Sequence, residues 1–198
     1  KFNEAETLYY LRTFTWARGK NLGYAFDVGK YNRLVLIFDP TFEAYIEAFA
    51  SEKSALFAGD THFIGYYLDN ELPFASYQHA DPLLVIDRKH FLTLPDRYKA
   101  ARTYAEKFMQ ESGIASAAAI TSKDQEAFRE RVSDYYYQLT TETVRRHDTE
   151  HLILGSRLHD WSKYNQKVVE ACARYCDVVS INYYGRWQPE TDFLASLK

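Results

Sequence analysis

Asp69, Asn70 and Glu71 follow directly on an apolar run, in the stretch Gly65 to Leu72 that reads GYYLDNEL. A carboxylate held at the mouth of a sheet is partly desolvated, so its pKa rises and it can donate a proton near neutral pH. Glu71 is placed for such acid/base work. Asn70 can hold a hydroxyl with its amide, and Asp69 reads either as a second acid or as a loop cap. An ordinary solvated turn would carry the same three residues. His147 to His151 spells H-x-x-E-H, a zinc-protease pattern that needs both histidines on one unbroken helix. Here Asp148-Thr149 should end a long helix and His151 opens an apolar strand, so no metal is assigned. Cys172 and Cys176 lack the C-x-x-C spacing; with Val168 and Val169 they mark an apolar helix face that buries its thiols. No G-x-G-x-x-G, P-loop or G-x-S-x-G occurs, and no cofactor is implied.

The elements that must position these groups follow from periodicity and caps. Asp39-Pro40 is an N-cap followed by proline at the first helical position, and Phe42, Ile46 and Phe49 continue at helical spacing, which predicts a helix from Pro40 to about Lys53. Phe63 to Leu68 is apolar throughout and bounded by polar residues, the pattern of a strand buried on both faces of a parallel sheet. Residues 73 to 94 are aperiodic and predict a long loop. Pro95 opens a helix running to Gly113, and a longer one starts near Ser122, with Tyr135, Tyr136 and Tyr137 packing from it. His151 to Gly155 and Val178 to Asn182 read as two more buried strands, separated by a helix over Asn165 to Tyr175, and Pro189 starts a last helix. Strand and helix alternate, which is the βαβ signature, and ligands in such folds bind at the carboxyl ends of the strands.

Composition narrows the partners. The chain has 198 residues, 46% of them hydrophobic and 26% charged, the balance of one globular domain rather than a disordered or fibrous chain. A net charge of -3 with no basic cluster beyond Arg145-Arg146 gives no footprint for nucleic acid. No apolar run approaches the roughly 20 residues that cross a bilayer, so no membrane partner is expected. Tyr, at 17 residues, leads the aromatic set, a residue that packs with its ring and hydrogen-bonds with its hydroxyl. The sequence opens on Lys1 rather than Met, reads as a processed or excised piece, and leaves export undetermined.

Four stretches in order, FDPTFEAY (38 to 45), GYYLDNEL (65 to 72), LGSR (154 to 157) and DVVSINYY (177 to 184), resemble the clan A glycoside hydrolases, and within them the bacterial agarase and porphyranase-like enzymes. The resemblance covers roughly residues 38 to 187, from the helix before strand four to strand six. It implies a partial (β/α)8 TIM barrel, an α/β fold lacking the first strands and strands seven and eight. Residues 1–198 would form a single partial catalytic barrel domain, with 73–150 an elaborated segment between strands four and five.

The resemblance implies that Glu71 is the general acid/base of a retaining hydrolase and that Asn70 binds the hydroxyl next to the anomeric carbon. Tyr183 would touch the nucleophile, Arg157 and His159 would line the cleft with Asp69, and Trp187 would be a stacking platform for a sugar or else a loop anchor. The implied substrate is a β-galactosidic polysaccharide of the agarose or porphyran class, and the implied setting is secreted or periplasmic. A retaining enzyme needs a second carboxylate about 5 Å from the first. The resemblance puts it at the end of strand seven, after Lys198, so the 198 residues alone are expected to be inactive. A β-galactosidase-like relative and a non-catalytic carbohydrate-binding remnant are the alternatives.

Overall fold

Asp39 and Pro40 start the first helix as their types dictate: the Asp39 carboxylate accepts the Thr41 backbone N–H at 2.9 Å and its hydroxyl at 2.6 Å. The computed structural model describes residues 37–75, 84–85, 89–90, 96–185 and 188–196. This helix, α1, spans Pro40–Phe57, one turn longer than its periodicity suggested, and buries Phe42, Ile46 and Phe49. Short strands β1 (Gly65–Tyr66) and β2 (Asp69–Asn70) follow, then β3 (Leu84–Val85) and β4 (Lys89–His90), which pair antiparallel inside the stretch expected to be loop. Helix α2 is Lys99–Glu111, entered through a 3₁₀ turn at Asp96–Tyr98.

The long helix α3, Ser122–His147, starts with a reciprocal cap in which Thr121 and Asp124 each bond the other's backbone N–H. It ends at His147, so the H-x-x-E-H pattern does not lie on one helix. His147 pairs with Glu47 of α1 at 2.6 Å, and His151 pairs with Asp148 at 2.7 Å. Beyond it come β5 (Leu152–Ile153), β6 (Ser156–Leu158), a short helix α4 (Asp160–Tyr164), α5 (Gln166–Tyr175), β7 (Ser180–Ile181) and α6 (Thr191–Ser196).

β1 and β2 are one interrupted strand, and β5 and β6 are another. Gly65 lies opposite Leu152 and Asp69 opposite Ser156, so the parallel register carries unchanged across both breaks. The backbone bonds continue through the gap: Leu154 N–H donates to Tyr66 at 2.8 Å, Leu68 N–H to Gly155 at 3.0 Å and Glu71 N–H to Arg157 at 3.2 Å. β7 then pairs parallel with β6, Arg157 opposite Ser180. The result is a three-stranded parallel wall, and the second strand runs three residues beyond the Gly155 boundary expected from the sequence.

Helices α1, α3 and α5 cover one face of the wall, and the buried core lies between, with Ile46, Leu68, Phe128, Tyr137, Ile153 and Val168 among its members. Tyr136 and Tyr137 sit inside this layer against Phe74, at ring-centroid distances of 5.4 and 5.3 Å, while half-buried Tyr135 stacks on Phe38. Cys172 is buried on α5 and Cys176 half-buried at its end, both as free thiols.

Strict strand alternation fails in this wall. Tyr66 and Asp69 are three residues apart yet both hydrogen-bond groups of the α3 layer, Tyr66 to Asp148 at 2.6 Å and Asp69 to the Tyr136 hydroxyl at 2.9 Å. On the neighbouring strand Ile153 is fully buried in the core and Ser156 accepts the Tyr137 hydroxyl at 2.8 Å, again three residues apart. Gly155 stands between them at φ +71, a conformation that L side chains seldom adopt. The two strands break together, which is why their register survives while the faces of the following residues are exchanged. β7 joins through an irregularity of its own, where Asp177 and Val178 N–H both donate to the Ile153 carbonyl, the pattern of a bulge.

Candidate active site

The exchange of faces decides where the Asp-Asn-Glu residues go. Asp69 is 3% exposed and belongs to the helix side. Its Oδ2 takes the hydroxyl protons of Tyr136 and Ser156, and its Oδ1 accepts the Leu72 backbone N–H at 3.2 Å. The expectation that Asp69 lines the cleft is corrected on this ground: its carboxylate is occupied in the core. The cap reading of Asp69 matches the bond to Leu72.

Asn70 and Glu71 face the other way. Asn182, just past the end of β7, donates from Nδ2 to Glu71 Oε1 at 2.9 Å and to Asn70 Oδ1 at 3.2 Å. Tyr184 donates its hydroxyl to the same Oε1 and stands 3.4 Å from Asn182 Nδ2. With Asn70 Oδ1 engaged, its amide nitrogen is the group with donors left to offer. Among the described residues nothing hydrogen-bonds Glu71 Oε2, so one carboxylate oxygen is fixed and the other is open.

Glu71 itself has φ 60, in the left-handed region. For a residue with a Cβ this costs on the order of 1 kcal/mol and persists only where the surroundings impose it. Here they do: the Glu71 N–H is tied to Arg157, and the next N–H, of Leu72, to Asp69. Burial pushes the carboxyl up, but the hydrogen bonds from Tyr184 and Asn182, with His159 and Arg157 nearby, outweigh it and hold the pKa below the ordinary glutamate value. This corrects the expected raised pKa. The sequence shows that the strand mouth is partly dry, but not that two donors converge on the carboxylate there.

Arg157, opposite Asn70 in the ladder, lies with its guanidinium 5.2 Å from the Tyr67 ring centre. His159 sets its ring edge-on to Tyr184, 4.9 Å between centroids. Both are therefore gathered with Glu71. Tyr183 is not: its ring lies under the Lys163 ammonium at 4.2 Å and 6.4 Å from Phe193. Its neighbour Tyr184 reaches the carboxylate instead, because Ser180, Asn182 and Tyr184 share one face of the strand and Val179 and Ile181 pack into the core from the other. Sequence reasoning missed Asn182 and Tyr184, although period-two alternation through DVVSINYY would have found both. Trp187 lies outside the described residues.

Polar residues gathered at the carboxyl ends of parallel strands, with helices on one face, define an α/β chain whose site lies where such folds bind ligands. No family model matches the chain, and no curated protein matches it. Among solved structures, it is similar to BpGH50 with 28% sequence identity and a TM-score of 0.75, over 93% of this chain and 39% of that one. It is similar to the agarase AgWH50C with 26% identity and a TM-score of 0.55, over 74% of this chain and 22% of that one. An exo-beta-agarase, at 24% identity and a TM-score of 0.61, shares the fold over 75% of this chain. The resemblance read from the sequence therefore holds: the chain is similar to GH50 agarases, glycoside hydrolases of clan A and of the TIM-barrel class. It spans about two-fifths of BpGH50 and less than a quarter of the two agarases.

Proposed function

We propose that this chain is the strand-four to strand-six portion of a retaining glycoside hydrolase that cleaves a β-galactosidic polysaccharide of the agarose or porphyran class, with Glu71 as general acid/base. The observation that carries the reading is the state of Glu71: a strained residue at the carboxyl end of a parallel strand, one oxygen fixed by Asn182 and Tyr184 and the other with no hydrogen bond among the described residues. The likeness to the agarase AgWH50C supports an agar-type substrate.

In this reading the open Oε2 delivers a proton to the glycosidic oxygen as the bond to the anomeric carbon breaks. The same oxygen then takes a proton from the water that releases the covalent sugar. Asn70 donates its amide to the hydroxyl next to the anomeric carbon. Arg157 and His159 line the cleft beside it. The nucleophile is a carboxylate on a strand outside these 198 residues, about 5 Å from Glu71 in the assembled barrel. Its negative charge would raise the Glu71 pKa, as one carboxylate does to another, and so supply the protonated acid that the first step needs.

The test is reducing-sugar release from agarose, porphyran and simple β-galactosides by the protein that carries this chain, with and without Glu71→Gln. Loss of turnover with retained binding is the expected result. Wild-type rates in Glu71→Gln would remove Glu71 from its role, and binding with no turnover in the parent protein would favour a carbohydrate-binding function.

A further inference from the structure

Glu71 would be poorly aimed if only its own residue type fixed it, since the left-handed backbone it adopts is one that glutamate disfavours. Something else must hold it there. The residue two positions earlier has the connections to do so. Asp69 Oδ1 accepts the Leu72 N–H at 3.2 Å and thereby closes the turn around Glu71. Asp69 Oδ2 accepts from Tyr136, on the middle of α3, at 2.9 Å, and from Ser156 on the adjacent strand. Ser156 in turn accepts from Tyr137 at 2.8 Å. Leu72, Tyr136 and Ser156 donate to the carboxylate and Tyr137 supports Ser156 from behind, and the polar side chains are buried, with Tyr137 and Ser156 at 0% exposure and Asp69 and Tyr136 at 3%.

We propose that Asp69 is a positioning residue for Glu71: its buried carboxylate clamps the turn at Glu71 to helix α3 through Tyr136 and to strand β6 through Ser156. The inference rests on the reading of Glu71 as acid/base. Asp69 does not touch substrate in this role. It converts the rigidity of a 26-residue helix into the direction of one side chain. A buried carboxylate accepting several hydrogen bonds is directional in a way that apolar packing is not, and a displacement of about 1 Å at a reacting group can cost about a hundredfold in rate.

The experiment compares Asp69→Asn, Tyr136→Phe and Glu71→Gln in the parent enzyme, on a natural galactan and on an aryl β-galactoside with a good leaving group, well below each variant's Tm. Tyr136→Phe removes a single hydroxyl and keeps the ring that packs on Phe74, so it carries the test if Asp69→Asn does not fold. Both variants are expected to lower kcat on the galactan about tenfold to a hundredfold with KM within about twofold, as misplacement of a proton donor would. The loss should be smaller for bond cleavage in the activated substrate, which needs less protonation. The alkaline limb of the pH–rate profile, which reports loss of the protonated acid, should move as well. Wild-type kcat and pH profile in Tyr136→Phe, with only a lowered Tm, would overturn the proposal and leave Asp69 a fold-stabilising residue. The control separates the two ideas: if Glu71→Gln itself retains wild-type rate, the acid/base reading has failed, whereas a dead Glu71→Gln beside an unaffected Tyr136→Phe overturns only the clamp.

Discussion

Asn182 donates a 2.9 Å hydrogen bond to Glu71 Oε1 although 111 residues separate the two in the chain. The contact exists because the strands that carry them both pair with the strand between, in parallel and in register, so their carboxyl ends lie on one level. Removing the donors should therefore change the glutamate. In Tyr184→Phe and Asn182→Ala the Glu71 carboxyl pKa is expected to rise, because burial would then act with less opposition. Carboxyl ¹³C NMR titration measures this directly, and an unmoved or lowered pKa in both variants would contradict the assigned cause.

Gly155→Ala should destabilise the chain by about 2 kcal/mol or more, since a side chain there is strained and crowded at once. A Cβ on Gly155 would lie 2.7 Å from the Val178 carbonyl oxygen and 2.8 Å from Cys172 Sγ. The first contact is with backbone of the third strand and cannot yield without shifting the wall. Urea unfolding of the two proteins measures the difference, and equal midpoints would contradict the strain.

His151 faces two groups that only accept hydrogen bonds, the Asp148 carboxylate at 2.7 Å and the Asp60 carbonyl at 3.1 Å, so the ring satisfies both only when doubly protonated. Burial works against that charge, but the Asp148 carboxylate and the Asp60 carbonyl outweigh it and raise the pKa. Its contribution to stability is present in full below about 6.5 and is lost as pH rises through the folded value. Asp148 runs the other way. Burial pushes it up, yet bonds from Tyr66, His151 and Glu150 hold it at about 2, so its contribution is present above the ordinary aspartate value and is lost as pH falls toward 2. Asp148→Asn should cost on the order of 2 kcal/mol at neutral pH and progressively less in acid. Thermal melts across the pH range test this, and a pH-independent difference would contradict it.

Thr121→Ala should lower stability by about 1 kcal/mol through loss of the cap on α3. Because Tyr136 lies well inside that helix, the Tyr136 to Asp69 bond should survive. Denaturant unfolding gives the first quantity. Unchanged resonances for Tyr136 in Thr121→Ala would show that the fraying stops short of it.

The helices were legible because their signals are local. Asp39-Pro40 states a helix start in two residues, and the structure adds one turn to the predicted end, where no strong stop signal stands. The strands were legible as apolar runs but not as faces. Alternation counted from Tyr66 puts Asn70 on the helix side and Asp69 on the open side, and the structure has them reversed because of the break after Tyr66. Nothing in the letters YLD marks that break, since its partner, Gly155, lies on another strand. Tyr183 and Tyr184 failed differently: the alternation there is regular, and the signal was present but passed over.

Sequence alone determined the order of the longer helices and the parallel strands, the strand that carries Asn70 and Glu71, and the likeness to the agarase-like hydrolases, because each rests on neighbouring residues or on short ordered stretches. Tertiary structure alone decided that Asp69 turns into the core, that Asn182 and Tyr184 hold the Glu71 carboxylate, and that its pKa falls rather than rises. Those outcomes depend on which groups meet across strands far apart in the chain. A hydrogen bond extends about 3 Å in space, whatever the separation in sequence.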